Sequence, residues 1–228
     1  MKLLLTSSGI SNPSIEDALV GLLGKPIGES SALIVATAIY PFSEGPSNAW
    51  RVFNGKAQGP FAEVGWKSLG VLEPTALPSI KRESWVPQLE ETDALLVWGG
   101  HVMYLCYWMR QSGLADLLPS LENLVYVGVS AGSIVTTPYN GDVEFNLQTL
   151  PEDSAATKEG DRALGFVDFT LRVHVDREGF NSMDDVEAWA AGIPAPTYAI
   201  DDETAIRVVD GSPEVVSEGN WKRFEPGG

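Results

Sequence analysis

The sequence is poor in the residues that build disulfides, metal clusters and nucleic-acid surfaces. Cys106 is the only cysteine in 228 residues, which excludes an internal disulfide and a cysteine-based zinc cluster. There are two histidines, His101 and His174, so a mechanism that needs an imidazole has two candidates. Lysine and arginine total 15 against 31 acidic residues, a net charge of −16. The basic residues are scattered, with Lys81-Arg82 and Lys222-Arg223 the only adjacent pairs. Binding a phosphate backbone needs clustered positive charge, so nucleic acid is not an expected partner. No apolar run approaches the ~20 residues that cross a bilayer, and a membrane is not expected either. The opening Met1-Lys2-Leu3-Leu4-Leu5-Thr6-Ser7-Ser8-Gly9 is too short an apolar stretch for a signal peptide and lacks a small-residue cleavage site. It reads as a first strand, and the expected location is the cytoplasm.

What is present suits one globular domain spanning residues 1–228, with a hydrophobic content of 44%. Apolar runs without alternation, at Lys2–Thr6, Ala32–Ala38, Ala94–Trp98 and Leu124–Val127, read as strands buried on both faces. Between them Ile15–Leu23 and Val102–Gln111 read as helices, and Asn48–Leu69 as an interrupted helix broken by Gly55, Gly59 and Pro60. Ala205–Val209 and Glu214–Ser217, joined by Asp210-Gly211-Ser212-Pro213, read as an antiparallel hairpin. The expected fold is α/β: a three-layer α/β/α sandwich with a mostly parallel, doubly wound sheet and a C-terminal antiparallel hairpin.

Gly128-Val129-Ser130-Ala131-Gly132 fits G-x-S-x-G in the context that the motif requires, a strand before it and a helix start after it. A serine on such a turn stands exposed beside the N–H groups of the helix, which makes Ser130 the candidate nucleophile. A serine hydroxyl needs a base within hydrogen-bond reach. His174 lies downstream, near the end of an alternating stretch from Gly165 to Asp176, and is the candidate base. Gly99 and Gly100 close another strand just before a helix, a placement that exposes backbone N–H groups as an oxyanion hole does. Ala131, next to the nucleophile, is the candidate second donor. A phosphate-binding or structural role for the glycine pair reads equally well from that segment by itself.

These segments, in this order, resemble the dipeptidase E family of serine peptidases (peptidase S51), which includes relatives of cyanophycinase. The likeness runs from the Leu3 strand to the terminal hairpin. It implies a fold like that of class I glutamine amidotransferases, with Ser130 as nucleophile, His174 as base and Gly99 and Gly100 in the oxyanion loop. It also implies a carboxylate in a late strand–turn. Within Ile200-Asp201-Asp202-Glu203-Thr204 the resemblance points to Asp202, with Asp201, Glu203 and Asp176 as alternatives. The chain departs from the family pattern at His101-Val102, where the loop usually has another glycine and Asn-Thr, and at Val173, where proline is common. The resemblance implies no cofactor and no metal, a small peptide substrate (N-terminal aspartyl peptides in the family), and leaves a homodimer open. The acidic chain offers no excess of arginine to hold a substrate carboxylate, and Arg172 or Arg177, near His174, is the candidate. A serine esterase and a non-catalytic binding protein of the same fold are the competing expectations.

Overall fold

A computed structural model describes residues 1–57, 59–140 and 162–226. The expected extent of the domain, 1–228, therefore includes stretches that lie outside the described residues. The strands are β1 (Lys2–Thr6), β2 (Ser31–Val35), β3 (Ser68–Val71), β4 (Ala94–Val97), β5 (Val125–Val129), β6 (Thr170–Arg172), β7 (Thr197–Ile200), β8 (Thr204–Val209), β9 (Ser212–Ser217) and β10 (Trp221–Phe224). The helices are α1 (Pro13–Leu23), α2 (Gly45–Phe53), α3 (Val86–Glu90), α4 (Val102–Gln111), α5 (Leu114–Leu117), α6 (Ala131–Ile134) and α7 (Met183–Ala190).

Seven strands form one sheet in the order β3-β2-β4-β5-β1-β8-β9. The first five run parallel, and β8 and β9 add on antiparallel as the expected hairpin. The continuous apolar runs are explained by burial on both faces. Along β1, Leu3 and Leu5 enter one core cluster and Leu4 the other; along β4, Leu95 and Val97 part from Ala94 and Leu96 in the same way. A strand's period of two sends alternate side chains to opposite layers, so neither face can be polar. Each fully buried leucine contributes roughly 1.5–3 kcal/mol.

Helices cover both faces. Helix α1 places Ile15, Leu19 and Leu22 on one of them. It starts where the sequence signals it: the Asn12 side chain accepts from the Ile15 N–H, Pro13 follows, and Gly24 ends the helix at φ 72°. Helix α4 lays Leu105, Cys106 and Met109 against the opposite face.

A second sheet, β10-β7-β6, pairs β7 antiparallel with β10 and parallel with β6. Phe169, Leu171, Tyr198 and Ile200 join it to the same core cluster as Leu3, Val97 and Tyr126 of the large sheet. Strand β6 falls within the alternating stretch from Gly165 to Asp176, but the pairing that makes a second sheet does not follow from the apolar pattern, and neither does β3. The stretch read as an interrupted helix, Asn48–Leu69, is helical only to Phe53, where α2 ends, and its last two residues open β3, a sheet edge whose Leu69 and Val71 are exposed.

Candidate active site

Strand β5 ends at Val129 and α6 begins at Ala131, so Ser130 makes the turn by itself. Its backbone lies at φ 52°, ψ −115°, a conformation that a non-glycine residue holds only when its surroundings over-determine it. Those surroundings are explicit. The Ser130 N–H donates to the Thr6 carbonyl at 3.1 Å, and its own carbonyl accepts from Ser133 and Ile134 at 2.8 and 2.9 Å. The Ser133 hydroxyl donates to the same Thr6 carbonyl at 2.7 Å, and the buried Tyr126 hydroxyl donates to the Gly132 carbonyl at 2.6 Å. Gly132 sits so close to the Val97 carbonyl that a Cβ would overlap it. The elbow is thereby tied to β1, β4 and β5 together.

His174 lies two residues beyond β6, with its backbone in the left-handed region at φ 56°. The neighbouring Val175 N–H donates to the Ile200 carbonyl at 3.1 Å, which fixes the turn against β7. The ring packs against Phe180, with centroids 4.8 Å apart. Its Nδ1 is 2.5 Å from Oδ1 of Asp202. With Asp202 ionised, the proton in that contact belongs to Nδ1, which leaves the ring's lone pair on Nε2. Burial pushes the Asp202 carboxyl upward. Hydrogen bonds from Ser7 and His174, then the charges of His174 and of Arg177 at 3.3 Å, outweigh it and hold the group below the usual carboxylate value.

Ser130, His174, Asp202, Gly99 and Gly100 all line a cavity of about 510 Å³. Asn48, Arg51, Trp98 and Arg177 form more of its wall. A second cavity of about 260 Å³ meets the first at Gly100, Ser130 and His174, and Ala131 lies on that side. Gly100 follows β4 at φ 140°, pressed against the Ala38 carbonyl where no Cβ fits. As the first residue of α6, Ala131 has an N–H without an intrahelical acceptor.

The family model for peptidase family S51 matches residues 3–216. The chain belongs to peptidase family S51. It is a hydrolase that acts as a peptidase. Its fold is also that of two solved structures. One is a candidate peptidase E protein from Listeria monocytogenes EGD-e, at 18% identity and a TM-score of 0.61, covering 96% of this chain and 98% of that one. The other is a peptidase from an acI-B1 Actinobacterium, at 16% identity and a TM-score of 0.67, covering 100% of this chain and 95% of that one. No curated protein matches.

In this S51 peptidase the four carboxylates weighed from the sequence have separate surroundings. Asp202 reaches His174. Asp201 accepts from Glu203 N–H at 3.1 Å, from the Thr204 hydroxyl at 2.7 Å and from Asn220 N–H at 2.5 Å. Glu203 accepts from the Asn12 amide at 3.1 Å, and Asp176 from the Met183 N–H at 2.9 Å. His101 caps α4: its Nδ1 accepts from the Tyr104 N–H at 3.1 Å. Of the two arginines, Arg177 lines the larger cavity, whereas Arg172 is buried with its guanidinium 3.8 Å over the Trp189 ring and borders the smaller one. Ser7 escaped the sequence reading. It lies in the Ser/Gly turn after β1, where nothing in the local pattern separates it from Ser8. Among the described residues no group of three or more His, Cys, Asp or Glu is placed to hold a metal ion, and no helix is long and apolar enough to cross a membrane.

Proposed function

We propose that this S51 peptidase is a serine peptidase of dipeptides or short peptides, with Ser130 as nucleophile, His174 as general base and Asp202 as the acid that orients it. The observation that carries the reading is the 2.5 Å contact of His174 Nδ1 with Asp202, on the wall of the cavity that Ser130 also lines. In this reading Ser130 Oγ attacks the scissile carbonyl and passes its proton to Nε2 of His174. Asp202 holds the Nδ1–H and stabilises the imidazolium. Backbone N–H groups of the Gly99-Gly100 loop and of Ala131 receive the negative charge that develops on the carbonyl oxygen. The imidazolium then protonates the leaving amine, and water releases the acyl group from Ser130 by the same steps reversed.

The cavity wall also bears on the substrate. Arg51 and Arg177 bring positive charge into the site of a protein of net charge −16, which suits a substrate carboxylate. The test is a fluorophosphonate probe followed by peptide mapping, alongside a panel of Asp-X and other dipeptides. Labelling of Ser130 with release of free amino acids supports the reading. A protein that hydrolyses peptides while Ser130 stays unlabelled, and in which Ser130→Ala retains the activity, would sink it.

A further inference from the structure

The hydroxyl of Ser7 is fully buried and meets both His174 and Asp202. It is 2.7 Å from Asp202 Oδ1, 2.9 Å from the backbone N of His174 and 3.2 Å from Nδ1 of the same residue. A hydroxyl has one proton to donate and two lone pairs with which to accept. The carboxylate has no proton, so the Ser7 proton goes to Asp202. The His174 backbone N–H can only donate, and it takes one lone pair. What remains to face Nδ1 is the second lone pair, and it is compatible with a protonated Nδ1. All three valences of the hydroxyl are therefore spoken for, and each in a sense that leaves the basic lone pair of His174 on Nε2.

Its position in the chain adds to this. Ser7 directly follows β1, the strand whose Thr6 carbonyl binds both Ser130 and Ser133. His174 and Asp202 follow β6 and β7 of the small sheet. One side chain thus references the base and the acid to the strand that already holds the elbow. It also receives the N–H of a histidine whose backbone lies at φ 56°, where a side-chain-bearing residue needs support.

We propose that Ser7 is a positioning residue: its hydroxyl fixes the ring tautomer and the placement of His174 and Asp202 relative to Ser130. This rests on the triad reading above. Ser7 does not line the cavity, so it acts through His174 and not on substrate.

The experiment uses Ser7→Ala and Ser7→Cys, the second because it keeps the buried volume while its S–H is a weak hydrogen-bonding group. Both should lower kcat by about 10- to 100-fold, the loss expected of one hydrogen bond to a charged group, with KM nearly unchanged. In resting protein the Nδ1 proton of His174 should resonate far downfield in the wild type and move upfield, or exchange away, in both variants. With two histidines in the chain, His101→Asn assigns the signal. A Ser7→Cys protein with wild-type kcat and an unchanged Nδ1 resonance overturns the proposal, whatever its thermal stability. If His174→Ala is inactive at the same time, the triad survives and the role of Ser7 alone falls. If His174→Ala is active, both fall.

Discussion

A side chain on Gly99 would strike Ser130: a Cβ built there comes within 2.9 Å of the serine Cβ and 3.2 Å of the Val129 carbonyl. Neither neighbour is the free end of a flexible side chain, so relief requires moving the elbow or the Gly99-Gly100 loop. Gly99→Ala is therefore expected to lower kcat about 10²-fold, the scale of a displacement of about 1 Å at reacting atoms. Overpacking should also cost roughly 1–3 kcal/mol. Steady-state kinetics beside a denaturation curve checks both, and wild-type kcat would show that the loop is not held against the nucleophile.

Ser130 itself should separate chemistry from stability. Ser130→Ala is expected to lose hydrolysis and keep the fold. Ser130→Gly should be equally inactive yet more stable than the alanine variant, by about 1 kcal/mol, because φ 52°, ψ −115° suits glycine and strains any other residue. Thermal melts of the two variants decide it, and an alanine variant that melts higher would mean that the turn is not strained.

The two histidines make a matched pair of tests. His174→Ala should reduce the rate by about 10³-fold or more. His101→Ala should cost stability, about 1 kcal/mol for a lost helix cap, with less than about a 10-fold change in rate. His101→Asn, which can cap α4 in the same way, should restore the melting temperature. The opposite ranking in activity would move the base to His101.

Asp202→Asn is expected to slow hydrolysis by about two orders of magnitude. It should also change how stability depends on pH. The folded carboxyl sits below its ordinary value, so its stabilisation is fully present above an unfolded-state value of about 3.9 and is lost as the pH falls through the depressed one. The stability gap between wild type and Asp202→Asn should be wider at about pH 6 than at a pH below the unfolded-state value of about 3.9. A gap that is the same at both would show that the carboxyl is not depressed. Asp176→Asn, Asp201→Asn and Glu203→Gln form the comparison set for rate, and a larger loss at any of these would shift the orienting role there.

Where the sequence was legible, one interaction dominated. The strand at Leu3–Leu5 and the run before Ser130 are buried on both faces, and continuous apolar residues announce that without reference to anything else. The Ser130 turn is likewise local, since the small residues around it answer to a backbone clash a few ångströms away. The carboxylate that meets His174 was harder to read, because Asp201, Asp202 and Glu203 are three turn carboxylates whose fates depend on distant groups: Asn220, His174 and Asn12. Ser7 was illegible for the same reason, its partners lying 167 and 195 residues away. Strand β3 was hidden by exposure, since a sheet edge with Leu69 and Val71 facing solvent need not carry a buried strand's pattern.

Asp202 occupies the short link through which the chain leaves β7 of the small sheet and enters β8 of the large one. A link of that kind works as a gauge block between two machined surfaces. His174 and Asp202 both follow strands of the small sheet and Ser130 follows β5 of the large one, so whatever slides one sheet over the other shifts imidazole and carboxylate relative to Ser130 before it disturbs either sheet's own ladder. On gradual warming, peptidase activity should fade ahead of the far-ultraviolet signal, because the alignment of the two sheets is a softer quantity than the strands that compose them.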